Sequence, residues 1–237
     1  MSGIESTDLS EGRVLLIDKP LRWTSFSAVN RVKRRLLNDI LDGIEDPTER
    51  RKWKKRLKIG HAGTLDPLAT GLLILCTGKK TKTIQEIQGQ EKEYTGTIVL
   101  GAVTPTYDLE SSPEQFKAVN AVTEERLKEA IIRLTGFIEQ FPPAHSAVKI
   151  DGQRAYELAR KGKEVNIKSK TVEIKVFEIT RFSLPEIDFR VVCSKGTYIR
   201  SLANDLGKLV ECGAYLSALR RTRIGEYRVE DAFKVTD

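Results

Sequence analysis

The sequence predicts an α+β fold, a mixed and mostly antiparallel sheet with flanking helices. Three observations carry that expectation. Strand-like stretches follow one another directly, segments of helical spacing fall between them, and no tract rich in proline, serine or glycine divides the chain. One domain is therefore expected over 13–237, behind a flexible polar tail over 1–12; 237 residues suffice for a sizeable core.

In order, "RVLLIDK" reads as a short apolar strand ended by Lys19-Pro20. After Thr24-Ser25, a plausible cap, Phe26, Val29, Val32 or Lys33, Leu36, Leu37, Ile40 and Leu41 recur at helical spacing. A second helix starts at "DPTE", with Asp46 as N-cap, Pro47 at the first helical position and Glu49 three residues after the cap. Its apolar stripe is only Trp53 and Leu57, too narrow to bury deeply. "GLLILCTG" is a buried strand, and "KEYTGTIVLG" an alternating one ended by Gly101. Thr123 caps a helix with Leu127, Ala130, Ile131 and Leu134 on one face and Gly136 as its stop. A Pro-Pro break leads to a strand over Ser146 to Ile150, an Asp151-Gly152 turn and a short helix closing at Gly162. "TVEIKVFEIT" alternates Val172, Ile174 and Val176 against charged neighbours, and "DFRVVC" follows a loop at Pro185. A Lys195-Gly196 turn then opens a helix with Leu202 and Leu206 on one face.

Forty per cent apolar and 31% charged residues fit a soluble globular protein and exclude disordered and fibrous classes. No basic flank leads into an apolar leader, and no apolar run nears the ~18 residues of a membrane span. Cys76, Cys193 and Cys212, few and odd in number, read as reduced thiols in a cytoplasmic protein. The formal charge is +7, and "RRKWKKRLK" from Arg50 to Lys58 supplies the excess. Such a cluster suits a polyanion, nucleic acid first and an anionic membrane surface second; the plainer reading is a solvated helix face.

The stretch "KIGHAGTLDPLATG", Lys58 to Gly71, concentrates turn-making residues around one carboxylate. Pro67 keeps Asp66 out of the αR conformation, while Gly60, Gly63 and Gly71 permit tight turns or close approach of another molecule. Either Asp66 is presented for chemistry, or its side chain caps local N–H groups of an Asp-Pro turn. Other chemistries fit less well. His61, Asp66 and Cys76 lack zinc-site spacing, and with only His61 and His145 in the chain the sequence argues against a histidine-based metal or triad site. "GKKTK" lacks the first glycine and the Ser or Thr of a phosphate loop, and no second carboxylate has the setting a glycosidase needs.

"GHAGTLDPLATGLL" closely resembles the signature of the TruB family of tRNA pseudouridine synthases, which isomerise uridine 55 in the T loop. In order along the chain, "LLIDKPLRWTS", "KEYTGTIVLG", "CSKGTYIRSLANDLG" and "GAYLSALRRTRIG" are similar to further motifs of that family, so the resemblance runs from about Arg13 to Tyr227. It implies a pseudouridine synthase-like catalytic domain that works on tRNA without metal or cofactor. By similarity Asp66 is the nucleophile or base, Arg200 its charge partner, and Tyr94 a ring stacked on the target base near the C5 proton. Tyr198 and Leu219 line the uracil pocket, Lys19 supports the site, and His61 fills the space that the flipped base leaves. Without the motif each would pass for packing, a surface arginine or a satisfied loop histidine. The family often has threonine where this chain has Ala62, and the stretch from Lys19-Pro20 to Gly60 is longer than expected. That stretch holds the basic helical insertion near 46–58, whose Arg51, Lys54, Lys55 and Lys58 are expected on the RNA backbone. No full C-terminal RNA-binding domain is expected. The protein is expected to be a monomer with no membrane partner. The rival reading is a non-catalytic RNA-binding protein or RNA chaperone on the same fold.

Overall fold

The computed structural model describes residues 11–146, 149–150, 153–155 and 167–235. Its elements begin with β1 (Val14–Lys19), α1 (Ser25–Leu41), α2 (Pro47–Arg56), β2 (Ile59–His61) and β3 (Ala69–Thr77). A 3-10 segment (Gly78–Thr83) runs into α3 (Ile84–Gly89), followed by β4 (Lys92–Leu100), α4 (Glu124–Arg133) and β5 (Gly136–Gln140). The two-residue strands β6 (Lys149–Ile150) and β7 (Gln153–Arg154) pair with each other. Then come β8 (Lys170–Ser183), β9 (Glu186–Cys193), α5 (Ile199–Leu209), β10 (Ala214–Ile224), β11 (Tyr227–Arg228) and β12 (Phe233–Lys234). Most strand pairings are antiparallel, as expected; β12 beside β1 is parallel. The elements group into two compact units, 1–90 with 220–237 and 91–219.

In the first unit β3 is the central strand. Its neighbours include β1, with Leu16 opposite Ile74, and β2, with Gly60 opposite Cys76. One face of β3 turns Leu73 and Leu75 toward Leu15, Ile17 and the stripe Ala28, Val29, Val32, Leu36 and Ile40 of α1. The other turns Leu72, Ile74 and Cys76 toward Ile87, Ile224 and Val229. Burial on both faces is why "GLLILC" reads as an unbroken apolar run rather than an alternating one. The caps match the sequence expectation: Thr24 accepts from the Ser27 N–H, and Asp46 from that of Thr48. Phe26 departs from the expected stripe, being 70% exposed in the first turn of α1. Trp53 packs against the α1 cluster and Leu57 is buried, while the rest of α2 faces solvent.

In the second unit β4, β9, β8 and β5 run in that order, each antiparallel to the next. Thr123 caps α4 as expected, but Gly136, at φ 90°, opens β5 instead of only ending the helix. The alternation expected along β8 stops at Ile174. A bulge between Ile174 and Val176 inserts one residue, so Phe177 instead of Val176 turns into the core, edge-on to Phe189 at 6.2 Å between ring centroids. The strand expected from Ser146 is described at Lys149–Ile150. The Asp151-Gly152 turn and the helix ending at Gly162 lie outside the described residues, as do positions 1–10 of the N-terminal tail. Cys76, Cys193 and Cys212 are buried free thiols, and burial pushes that of Cys193 up to about 11.

Candidate active site

Asp66 stands half-buried in the turn between β2 and β3, and the surrounding loop is tied down almost atom by atom. The Ser25 hydroxyl, at the start of α1, donates to the Leu65 carbonyl at 3.0 Å and accepts from its N–H at 2.8 Å. On the far side of Asp66 the Pro67 carbonyl accepts from the Arg22 N–H at 2.8 Å, and Arg22 itself adopts φ 66° to make that bond. The Ala69 N–H closes the turn onto the Asp66 carbonyl at 3.1 Å. Pro67 therefore does what the sequence suggests, holding Asp66 in a turn and not in a helix.

Two buried cations complete the frame. Lys19, fully buried at the end of β1, donates through Nζ to the carbonyls of Trp23 at 2.6 Å, Pro20 at 3.0 Å and Pro67 at 3.5 Å. Burial lowers its pKa to about 8; the nearby Asp66 carboxylate opposes that shift, and the Arg221 guanidinium adds to it. At pH 7 the ammonium remains the major form, able to donate to all three carbonyls. Arg221, from β10 and 1% exposed, donates Nε to the Leu72 carbonyl at 2.8 Å and reaches the Gly63 and Thr64 carbonyls at 3.1 and 3.4 Å. Gly71, at φ 99°, lets that chain pass: a Cβ there would lie 2.3 Å from the Arg221 carbonyl oxygen.

His61 ends β2, half-buried opposite Leu75 of β3, and its carbonyl accepts from the Gln88 side-chain amide at 3.5 Å. Burial lowers its pKa below the ordinary histidine value, so the imidazole is neutral at pH 7. A neutral ring is the form suited to stacking among bases. Protonation on acidification opposes folding here, because the folded state holds the proton less tightly than the unfolded chain.

In the second unit Tyr94 sits on β4 opposite Val191, 9% exposed. Arg200, in the first turn of α5, is 6% exposed and not a surface arginine. Its Nη1 donates to the Thr106 carbonyl and Nη2 to that of His145, each at 3.1 Å, while Nε lies 3.6 Å from the buried Asp108 carboxylate. Asp108 in turn accepts from the Glu110 N–H at 3.0 Å, which fixes its orientation. Tyr198, at the N-cap of α5, is clamped by the fully buried Gln140. The amide accepts from the Tyr198 N–H at 2.7 Å and donates to its carbonyl at 3.0 Å, while the Lys170 ammonium lies over the ring at 4.6 Å. Leu219 stays half-buried on β10.

Sequence reasoning missed Arg221, Asp108, Ser25 and Gln140 as supporting groups. Arg221 and Ser25 left a trace, each lying inside a motif already singled out. Arg51, Lys54, Lys55 and Lys58 are exposed along and just beyond α2, while Arg50 bends back to the Leu41 and Ile44 carbonyls at 3.0 and 2.7 Å. Among the described residues no cluster of metal-ligating side chains occurs and no helix is long and apolar enough to cross a membrane.

Comparison with known proteins gives the family and the fold. Residues 50–199 match the model of the TruB family pseudouridylate synthase N-terminal domain, and residues 200–237 that of the tRNA pseudouridylate synthase B C-terminal domain. The chain is 55% identical over 226 residues to the tRNA pseudouridine synthase B of Flavobacterium johnsoniae, covering 95% of this chain and 94% of that protein. With its namesake in Phocaeicola vulgatus it shares 49% over 228 residues, 96% and 92% of the two chains. Among solved structures it resembles a Cbf5-Nop10-Gar1 complex at TM-score 0.68 and 28% identity, covering 97% of this chain and 54% of that one. An H/ACA RNP bound to a substrate RNA containing 2′-deoxyuridine is matched at TM-score 0.64 and 25% identity, over 95% of this chain and 51% of that one. The chain thus spans about half the length of those two structures.

Proposed function

The chain belongs to the TruB family of pseudouridine synthases, and from that premise we propose that it converts uridine 55 in the T loop of tRNA to pseudouridine, with Asp66 as its catalytic carboxylate. The family makes it an isomerase and not a binding module that happens to share the fold. The observation that carries the role of Asp66 is the rigidity of its loop. Ser25, Lys19, Arg221 and the Arg22 N–H all spend hydrogen bonds on the backbone within a few residues of it. A surface turn that merely reverses the chain has no use for two buried cations.

The reaction breaks the N1–C1′ bond, turns the uracil and forms a C5–C1′ bond, with the C5 proton released and N1 protonated. Atoms balance without an external group, so one carboxylate can act as nucleophile or base. The Asp66 carboxylate, within the same unit, favours the ammonium form of the buried Lys19. In the proposed mechanism Arg200 pairs with Asp66 and arrives already oriented by Asp108. Tyr94 stacks on the base and Tyr198 and Leu219 line its pocket. His61, neutral, takes the place of the extruded base and offsets part of the unstacking cost of a few kcal/mol. The α2 cations hold the RNA backbone. The protein works in the cytoplasm as a monomer.

Incubation with unmodified tRNA, followed by mapping of pseudouridine by position, tests this reading. Product at uridine 55 is expected. Product at a different uridine would overturn the substrate, and no product would overturn the activity.

A further inference from the structure

A cavity of about 340 Å³ opens on the first unit between α1 and β12, lined by none of the residues assigned to the active site above. Its floor is apolar: Val32 and Leu36 of α1 belong to the buried core, and Val235 packs against that same cluster. Its rim is cationic. Arg34 and Arg35 rise from α1 and Lys234 from β12, all three exposed, and Arg31 adds a fourth positive charge to the lining. Phe233, beside Lys234, leaves half of its surface in solvent. β12 can present these two side chains because only two residues of it pair with β1, Ile17 opposite Phe233 and Asp18 opposite Lys234.

We propose that this cavity is a second RNA-contact site, which takes a nucleotide of the substrate RNA other than the one being isomerised. The argument is one of chemical fit. Guanidinium forks and an ammonium suit phosphate oxygens, an exposed aromatic ring offers a stacking surface for a base, and an apolar floor accepts a flat face of that base. Asn38 and Asp39, at the same rim, supply the acceptors that a ribose hydroxyl needs. A lone acid among four cations leaves the rim strongly positive, which disfavours an acidic side chain's usual partners and favours a polyanion. The placement also fits. Ser25, which holds the Asp66 loop, begins the same helix, so Arg31 and Arg35 lie about 9 to 15 Å further along its axis. That distance separates different nucleotides of a single RNA, not atoms of one nucleotide. The proposal rests on the reading that RNA is the substrate.

The test compares three variants of the full chain for binding to unmodified tRNA across a salt series. R34Q/R35Q/K234Q is expected to bind about tenfold more weakly, with a salt slope lower by about two, since each phosphate contact contributes roughly 0.7 to 0.9. F233A is expected to weaken binding without changing the slope, because stacking releases no counterions. K128Q/R133Q/K208Q removes as many exposed charges from α4 and α5 and is the control for net charge. Equal losses in the control, or an unchanged slope in the first variant, would overturn the site. A slope that falls with F233A as it does with the arginines would remove the stacking role. Position mapping on the unaltered protein judges the substrate reading separately, so failure of one is not mistaken for failure of the other.

Discussion

Between Asp46 and Ala69 the chain passes from a helix held by two apolar side chains to a loop held by buried polar ones. α2 keeps only Trp53 and Leu57 against the core and turns its cations to water. The Asp66 loop, a few residues later, has its carbonyls gripped by Lys19, Arg221 and Ser25. The difference matches what the proposed roles require. Attraction to phosphates falls off gently with distance and tolerates a mobile side chain, so charge density suffices. A carboxylate that must meet one reacting atom needs its backbone fixed to a fraction of an ångström, and that requires donors with no freedom of their own.

The largest effect expected from breaking the loop side of this contrast comes from Asp66→Asn. The amide is nearly isosteric, so the turn onto the Ala69 N–H survives, while the negative charge and the reactive oxygen are lost. Product should fall below detection in single-turnover assays. Affinity for tRNA should stay within about tenfold, or ~1.4 kcal/mol, of the parent. Turnover by a folded Asp66→Asn protein would take the proposed chemistry away from this loop.

Next in size is Arg221→Met, which keeps the bulk of the side chain but removes every donor. The carbonyls of Gly63, Thr64 and Leu72 lose a buried partner, and unfolding in denaturant should show a loss of about 3 kcal/mol. Arg221→Lys should recover little of it, because one ammonium cannot span three carbonyls from that position. If lysine restores both stability and rate, the fork is not what holds the loop.

How much of the molecule is legible in its sequence divides along the same line. The helix is readable residue by residue: its cap, its N1 proline and its narrow apolar stripe are all local signals, and all recur in the structure. The loop is readable as a loop, from Pro67 and its glycines, but not as a rigid one. The groups that stiffen it come from β1, the start of α1 and β10, and no local pattern reports a bond across that separation. Arg221 is the sharpest case. "ALRRTRI" looks like a solvated strand, yet Arg221 is 1% exposed while Arg220 beside it pairs with Asp18 at the more open face. In the same way the bulge in β8 moves the core position from Val176 to Phe177, a choice made by the partner strand.

A smaller effect sharpens the comparison at His61, which sits on the boundary between the two regions. His61→Ala should slow modification of folded tRNA by about tenfold and that of a loosely structured T-loop fragment by much less, since the fragment costs less to unstack. The neutral imidazole predicts that the difference between parent and variant narrows as the medium is acidified through the lowered pKa of the ring. Equal losses on the two substrates would make His61 a part of the loop's frame.

The smallest effect per residue belongs to the helix side. Replacing Arg51, Lys54, Lys55 and Lys58 together with glutamine removes four exposed charges and leaves Trp53, Leu57, the Asp46 cap and the Arg50 bonds to the Leu41 and Ile44 carbonyls in place. Surface substitutions of this kind shift stability by only a few tenths of a kcal/mol each, so the thermal midpoint should barely move. Binding is where the change should appear: without these four cations to neutralise phosphates, the salt slope for tRNA should fall by about three, and affinity should fall most at low ionic strength, where counterion release is worth most. The single-turnover rate at saturating tRNA should fall less than the affinity does, because these side chains hold the RNA without touching the reacting bond. An affinity and slope that stay at the parent's values would leave α2 as a solvated face, and the contrast would then lie between a rigid site and a helix with no part in it.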